Sequence, residues 1–131
     1  MVEINAYSKA KDGSKKLSGN FEVSEFACRD GSDAVLVAPR LVMVLQSIRS
    51  HFGVPVVIHS AYRTPQYNTK VDGVTDSQHC YGTAADITVR GQKPVDVAAY
   101  ARKIMPDWGG VGIYGSFCHI DVRETKADWT G

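Results

Sequence analysis

The sequence predicts one α+β domain in which helices pack an antiparallel sheet. Three observations carry that prediction. A chain of 131 residues suits one hydrophobic core. Segments with helical spacing of apolar residues are interleaved with short β-branched runs. The intervening stretches are turn signals, with no internal repeat and no linker to mark a second domain.

Each element follows from local chemistry. Residues 1–19 are set apart as a polar N-terminal arm, and 20–131 as the folded domain. Residues 8–19 carry four lysines and read as a solvated arm, or as a weak attraction for an anionic surface such as a bacterial cell wall. Phe21 and Phe26 flank Ser24, which is read as the N-cap of one short helical turn. Pro39 to Phe52 is the main helix: Leu41, Leu45, Ile48 and Phe52 mark one apolar face, Pro39 suits the first turn, and Gly53 suits the position just past the end. Arg49 and His51 fall in its last turn, where positive charge is favoured, so His51 needs no metal to explain it.

Pro55 to Ser60 is a β-branched run and predicts a buried strand, with His59 as a strand residue rather than a ligand. Thr64 and Pro65 predict the cap and first residue of a short helix to about Lys70, and Asp72-Gly73 a turn. Residues 74–82 read as loop, Ala84 to Val89 as a strand, and Pro94 to Met105 as a second helix. Gly109–Tyr114 and Phe117–Arg123 predict a hairpin turning at Gly115-Ser116.

Composition excludes several function classes. Net charge is +1, with no basic patch interleaved with aromatics, which argues against a dedicated nucleic-acid binder. No apolar run approaches the roughly 18 residues of a membrane span. The N-terminus lacks the apolar core of a signal peptide, so synthesis in the cytoplasm is expected. Three cysteines, Cys28, Cys80 and Cys118, with no C-x-x-C pair, make a poor disulfide framework and a poor structural zinc site. A cysteine nucleophile is disfavoured because Cys118 should face the core; both Cys80 and Cys118 read as small buried hydrophobes.

Chemistry concentrates in two His-Asp pairs, His79 with Asp86 and His119 with Asp121. Strand alternation puts His119, Asp121 and Arg123 on one face and Cys118, Ile120 and Val122 on the other. Asp86 points opposite to Ala85 and Ile87, so Asp86 and His119 can meet if their strands are neighbours. His79 lies in the loop ahead of Asp86, with Gly82 letting the backbone turn. His79, Asp86 and His119 are thus a candidate three-ligand set for one Zn2+ ion, leaving a fourth position open for water. Arg63, just after a strand, could clamp a substrate carboxylate or polarise a scissile carbonyl through its fork of donors; the plainer reading is a surface ion pair.

At these residues the chain resembles the zinc D-Ala-D-Ala carboxypeptidase family, which shares its fold with the hedgehog signalling domain. The likeness runs from about Leu17 to Trp129. It is carried by Ser60-Ala61-Tyr62-Arg63, by Ser77-x-His79-x-x-Gly82-x-Ala84-x-Asp86, by Gly109-Gly110-Val111-Gly112-x-Tyr114, and by His119-Ile120-Asp121. It is strongest to short, single-domain members common in phages and prophages. The resemblance implies a hedgehog/DD-peptidase-like fold, zinc on His79, Asp86 and His119, and Arg63 in substrate binding and transition-state stabilisation, with Ser77 and Tyr114 beside the substrate. Several branches of the family carry an acidic general base three residues before the last histidine ligand; here that position is Ser116. Asp121 is the nearest acid, expected as general base or as a partner that orients the site.

The implied function is zinc-dependent hydrolysis of a peptide bond in the stem peptide of bacterial peptidoglycan. The enzyme would be a D-Ala-D-Ala carboxypeptidase or an L-Ala-D-Glu-type endopeptidase of the endolysin kind. It would act as a monomer on the cell wall after release. The alternative is a zinc-bearing wall-binding module without hydrolytic activity, which the absent acid at position 116 favours.

Overall fold

Alternation and periodicity set up most of the fold, which the computed structural model describes for residues 2–131. From the N-terminus come β1 (Asn5–Ser8), α1 (Lys9–Asp12), β2 (Lys16–Ser18) and β3 (Phe21–Glu22). Next are β4 (Ala34–Val37), α2 (Pro39–Phe52), β5 (Val56–Ser60), α3 (Pro65–Lys70) and β6 (Ala84–Val89). The chain closes with α4 (Pro94–Ile104), β7 (Gly110–Ile113), β8 (Cys118–Asp121) and β9 (Ala127–Thr130). Two 3-10 turns, Val23–Phe26 and Gln78–Tyr81, complete the set.

The central sheet has the order β5-β6-β8-β7-β9. Every pair is antiparallel except β7 with β9, which is parallel. One face carries Ala85, Ile87, Val111, Cys118 and Ile120, all buried, and joins the core formed with α2 and α4. Leu41, Leu45 and Ile48 of α2 are at most 1% exposed, and burial of each such side chain contributes about 1.5–3 kcal/mol. The opposite face carries the polar residues of the site. A two-layer core results, with α2 and α4 on one side of the sheet and the chemistry on the other.

Main-helix geometry matches the sequence closely. Pro39 is in its first turn, and Gly53 follows it in the left-handed conformation at φ 67°. The hydroxyl of Thr64 accepts from the Tyr67 N–H, capping α3. Three expectations need correction. The lysine-rich segment is folded rather than a free solvated arm: β1 pairs with β4 and β2 with β3. The Ser8 hydroxyl caps α1, and Asp33 binds the Ser8 hydroxyl and the Ala10 N–H. Ser24 lies inside its 3-10 turn rather than capping it; the Glu25 carboxylate accepts from the Glu22 N–H instead. Strand β5 is an edge strand buried on one face only: Val56 and Ile58 point inward, while Val57 is 49% exposed. No described helix is long and apolar enough to cross a membrane.

Candidate metal centre

A single rung of the sheet builds most of the site. Reading across the strands, Ser60 pairs with Asp86, Asp86 with His119, His119 with Gly112, and Gly112 with Trp129. The register of β5 on β6 shifts between Ile58 and Ser60, which brings Ser60 opposite Asp86. His79 arrives from outside the sheet, on the 3-10 turn Gln78–Tyr81. The Ser77 hydroxyl accepts from the His79 N–H at 3.2 Å, and Gly82 ends the turn at φ 77°. A Cβ on Gly82 would lie 2.6 Å from the Leu36 carbonyl oxygen, so the turn can sit against β4 only with glycine there.

One ligand atom each from His79, Asp86 and His119 fits within 4.8 Å of the others, and all three residues are buried. The hydrogen bonds orient both imidazoles and fix the tautomer of His79. His79 Nδ1 lies 2.7 Å from the Ala61 carbonyl oxygen, which can only accept, so Nδ1 carries the proton and Nε2 a lone pair. That Nε2 is 3.3 Å from Asp86 Oδ2. His119 lies between two carboxylates, with Nε2 2.8 Å from Asp121 Oδ2 and Nδ1 2.9 Å from Asp86 Oδ1. His79 Nε2 and His119 Nδ1 therefore converge on one carboxylate. Acceptors meeting acceptors at these distances need a cation between them, a proton or a metal ion. This donor set of two nitrogens and a carboxylate oxygen, with no fourth protein ligand, fits a catalytic zinc.

Without a metal ion, a proton serves as that cation. Burial would raise the Asp86 carboxyl, but hydrogen bonds from His119 and His79 outweigh it and hold it below the usual carboxylate range. Asp121 is 0% exposed. Its burial penalty is overcome first by Arg123 and then by His119, so it too is held ionised. Burial disfavours the charged form of His119, yet hydrogen bonds to Asp121 and Asp86 raise its pKa above the ordinary value.

Asp121 is saturated. Oδ1 accepts from the Gly110 N–H, the Arg123 N–H and Arg123 Nε; Oδ2 accepts from His119 Nε2 and Arg123 Nη2. Arg63 is fixed as firmly. Its Nε donates to Ser60 Oγ and its Nη1 to Asn68 Oδ1, both at 3.1 Å, while Nη2 lies 3.5 Å from Asp86 Oδ2. Asn68 is 6% exposed and also donates to the Val74 carbonyl, tying the guanidinium to the following loop. Arg63 is thus a partly buried, oriented guanidinium rather than half of a surface ion pair.

A cleft of about 460 Å3 opens over these groups, and Arg63, Ser77, His79, Asp86, Tyr114 and His119 all line it. A hollow of about 510 Å3 between the N-terminal strands and α2 is larger, but its lining includes neither carboxylate nor imidazole. Donor chemistry, not volume, locates the site. Asp121 stands behind His119 and is absent from the cleft lining. Ser116 sits in the exposed β7–β8 turn and also lies outside that lining. His51 stacks on Tyr100 at 3.8 Å between ring centroids, and His59 hydrogen-bonds Thr88, so both lie outside the ligand cluster. Burial pushes the Cys118 thiol up to about 12 and also raises that of Cys80, so neither is an activated nucleophile. Sequence reasoning missed Asn68 and Trp129. A lone Asn in a short helix carries no signal, and the parallel pairing of β9 leaves no hairpin pattern to read.

Oriented imidazoles, a carboxylate between them and an arginine beside an open cleft define a metallopeptidase type of centre. Among families of known proteins, peptidase M15 matches residues 19–121. The chain belongs to the peptidase M15 family, whose members are zinc-dependent peptidases of peptidoglycan. No match to the chain was found among curated proteins.

Proposed function

We propose that the protein hydrolyses one peptide bond of the peptidoglycan stem peptide, using one zinc ion held by His79 Nε2, Asp86 and His119 Nδ1. The observation that carries this reading is the convergence of His79 Nε2 and His119 Nδ1 on Asp86 in an open cleft. A zinc ion bound there supplies Lewis acidity, lowering the pKa of water in its open position and polarising the scissile carbonyl. The protein supplies everything else. Ala61 and Asp121 hold the two imidazoles in the tautomers that present lone pairs. Arg63, pinned by Ser60 and Asn68, offers its remaining N–H donors to the developing oxyanion or to a substrate carboxylate. Ser77 and Tyr114 line the cleft beside the bound peptide.

Of the two roles open to Asp121, the orienting one is favoured, because five donors occupy its oxygens. Among the described residues lining the cleft, Asp72 is the one carboxylate besides Asp86, which makes it the residue to test as proton acceptor. Asp72→Asn should lower kcat by about 100-fold at unchanged zinc content; an unchanged kcat would remove Asp72 from the mechanism.

The reaction is either a D-Ala-D-Ala carboxypeptidase cleavage or an L-Ala-D-Glu-type endopeptidase cleavage. Digestion of a defined muropeptide, followed by mass spectrometry, tests both. Cleavage that stops with chelator and returns with zinc is expected, and the product masses name the bond. A second reading, a zinc-bearing wall-binding module, is favoured by the sealed Asp121 and by Ser116 at the acidic position. Wall binding without any cleavage product from the zinc-loaded protein would establish that reading instead.

A further inference from the structure

The last strand, β9, brings a side chain to the metal cleft that the ligand chemistry does not use. We propose that Trp129 is a specificity-determining residue, the aromatic wall against which the alkyl side chain of the residue next to the scissile bond packs. The proposal rests on the stem-peptide hydrolase reading and assigns its apolar subsite.

The place of Trp129 in the sheet, its fixation and its partial exposure carry the proposal. Trp129 occupies the same sheet rung as Asp86 and His119, on the same face. The strand between, β7, has Gly112 at that rung, and a Cβ there would lie 2.6 Å from indole atoms. The ring therefore lies across the bare backbone of β7, with its centroid 5.1 Å from that of His119. Its orientation is fixed at both ends. Indole Nε1 donates to the Tyr114 hydroxyl at 2.9 Å, and the Arg123 guanidinium sits 5.3 Å from the ring centroid while bound to Asp121.

Trp129 is only half-buried, and it lines the cleft together with Tyr114 and Phe117, whose rings stack at 4.5 Å. A core tryptophan would be covered, and an incidental surface one would not be held by three partners. Finally, β9 lies beyond residues 19–121, the span matched by the family. The wall is thus built by a part of the chain outside that span. Exposed Val71 and Val74, on the loop that follows α3, add aliphatic surface to the same cleft. Polar groups on the floor can align a peptide backbone, whereas an indole face selects the C–H groups of a small alkyl side chain.

Kinetics of Trp129→Phe and Trp129→Ala on a stem peptide provide the test, with zinc content measured in each. Trp129→Ala should raise KM about tenfold, with kcat changed by less than about threefold, and Trp129→Phe should fall between it and wild type. A second readout needs no turnover. The chain has two tryptophans, and Trp108 packs under Arg40 outside the cleft lining. In zinc-loaded Trp108→Phe protein, a stem peptide with a reduced scissile bond should change the emission of Trp129 saturably. Cleavage with normal KM in Trp129→Ala and unchanged Trp129 emission would overturn the wall while leaving the hydrolase reading standing. Saturable emission change without cleavage of the natural peptide would sustain the wall as a peptide subsite and remove the hydrolase. The phenylalanine variant and the emission titration still decide the matter if the alanine variant does not fold.

Discussion

His79 and His119 reach the same carboxylate but are held in opposite ways. His79 rides on a 3-10 turn outside the sheet, and its Nδ1–H is anchored by a neutral main-chain carbonyl. His119 stands on a central strand, and its Nε2–H is anchored by an ionised carboxylate that is itself clamped by an arginine. A carbonyl fixes a tautomer without changing charge. A carboxylate fixes the tautomer and also makes the imidazole more basic, which strengthens it as a ligand and strengthens competition from protons. One ligand is therefore set by backbone geometry and the other by a buried charge relay from Arg123 through Asp121.

The largest effect should come from removing the ligand on the turn. His79→Ala should abolish both bound zinc and hydrolysis while leaving most of the fold, because the core lies on the other side of the sheet. Metal analysis and circular dichroism check this together; stoichiometric zinc in the variant would mean that the ligand set is wrong. Arg63→Lys comes next and leaves both histidines untouched. An ammonium cannot reach Ser60, Asn68 and the cleft at once, so kcat should fall by about 100-fold with zinc retained. Near-normal turnover would remove Arg63 from the chemistry.

Asp121→Asn breaks the charged half of the comparison alone. Loss of this partner should weaken zinc binding by about 10–100-fold, read by competition with a chromophoric chelator. Unchanged affinity would mean that Asp121 does not act through His119. The same variant has a pH signature in the metal-free protein. Asp121 is held below its ordinary value of 3.8, so it adds stability above that pH which is lost as pH falls through its folded value. His119 is raised above 6.5, so its contribution has the opposite sign: full below 6.5 and lost as pH rises through the folded value. Thermal melts of the chelated protein should therefore show less dependence on pH at both ends in Asp121→Asn than in wild type.

How much of this was legible in the sequence follows the range of the interactions. Alternation in Phe117–Arg123 correctly put His119 and Asp121 on one face, because a strand's period is a local property. Helix α2 was legible because Pro39, Gly53 and the spacing of Leu41, Leu45 and Ile48 all agree. Strands β1 and β4 were not, since Lys-rich and Asp-rich flanks hide a pairing between segments far apart in the chain. The saturation of Asp121 was equally hidden: it depends on Gly110, His119 and Arg123 meeting across two strands. Residue types named the ligands, whereas the division of labour between Asp121 and the cleft required the register.

The smallest expected effects come from the two glycines of β7, and they separate the regions again. Gly110 and Gly112 share the face that carries the site, and each leaves room for a neighbour's side chain. A Cβ on Gly110 would lie 2.3 Å from Asp121 Oδ2, an atom held by two donors and wholly buried. A Cβ on Gly112 would lie 2.6 Å from the indole of Trp129, on an edge strand with solvent beside it. The carboxylate cannot retreat without releasing His119 and Arg123, whereas the indole, half-buried on an edge strand, can shift at the cost of its Tyr114 hydrogen bond and Arg123 contact. Gly110→Ala should therefore cost about 1–3 kcal/mol by the usual cost of overpacking and weaken zinc binding as well. Gly112→Ala should cost less and leave zinc affinity within about threefold of wild type, since Trp129 touches no ligand atom through a hydrogen bond. Denaturant melts and chelator competition on the pair measure both quantities. Equal losses of zinc affinity would show that the aromatic edge and the buried relay hold His119 together, and the division drawn between them would fail.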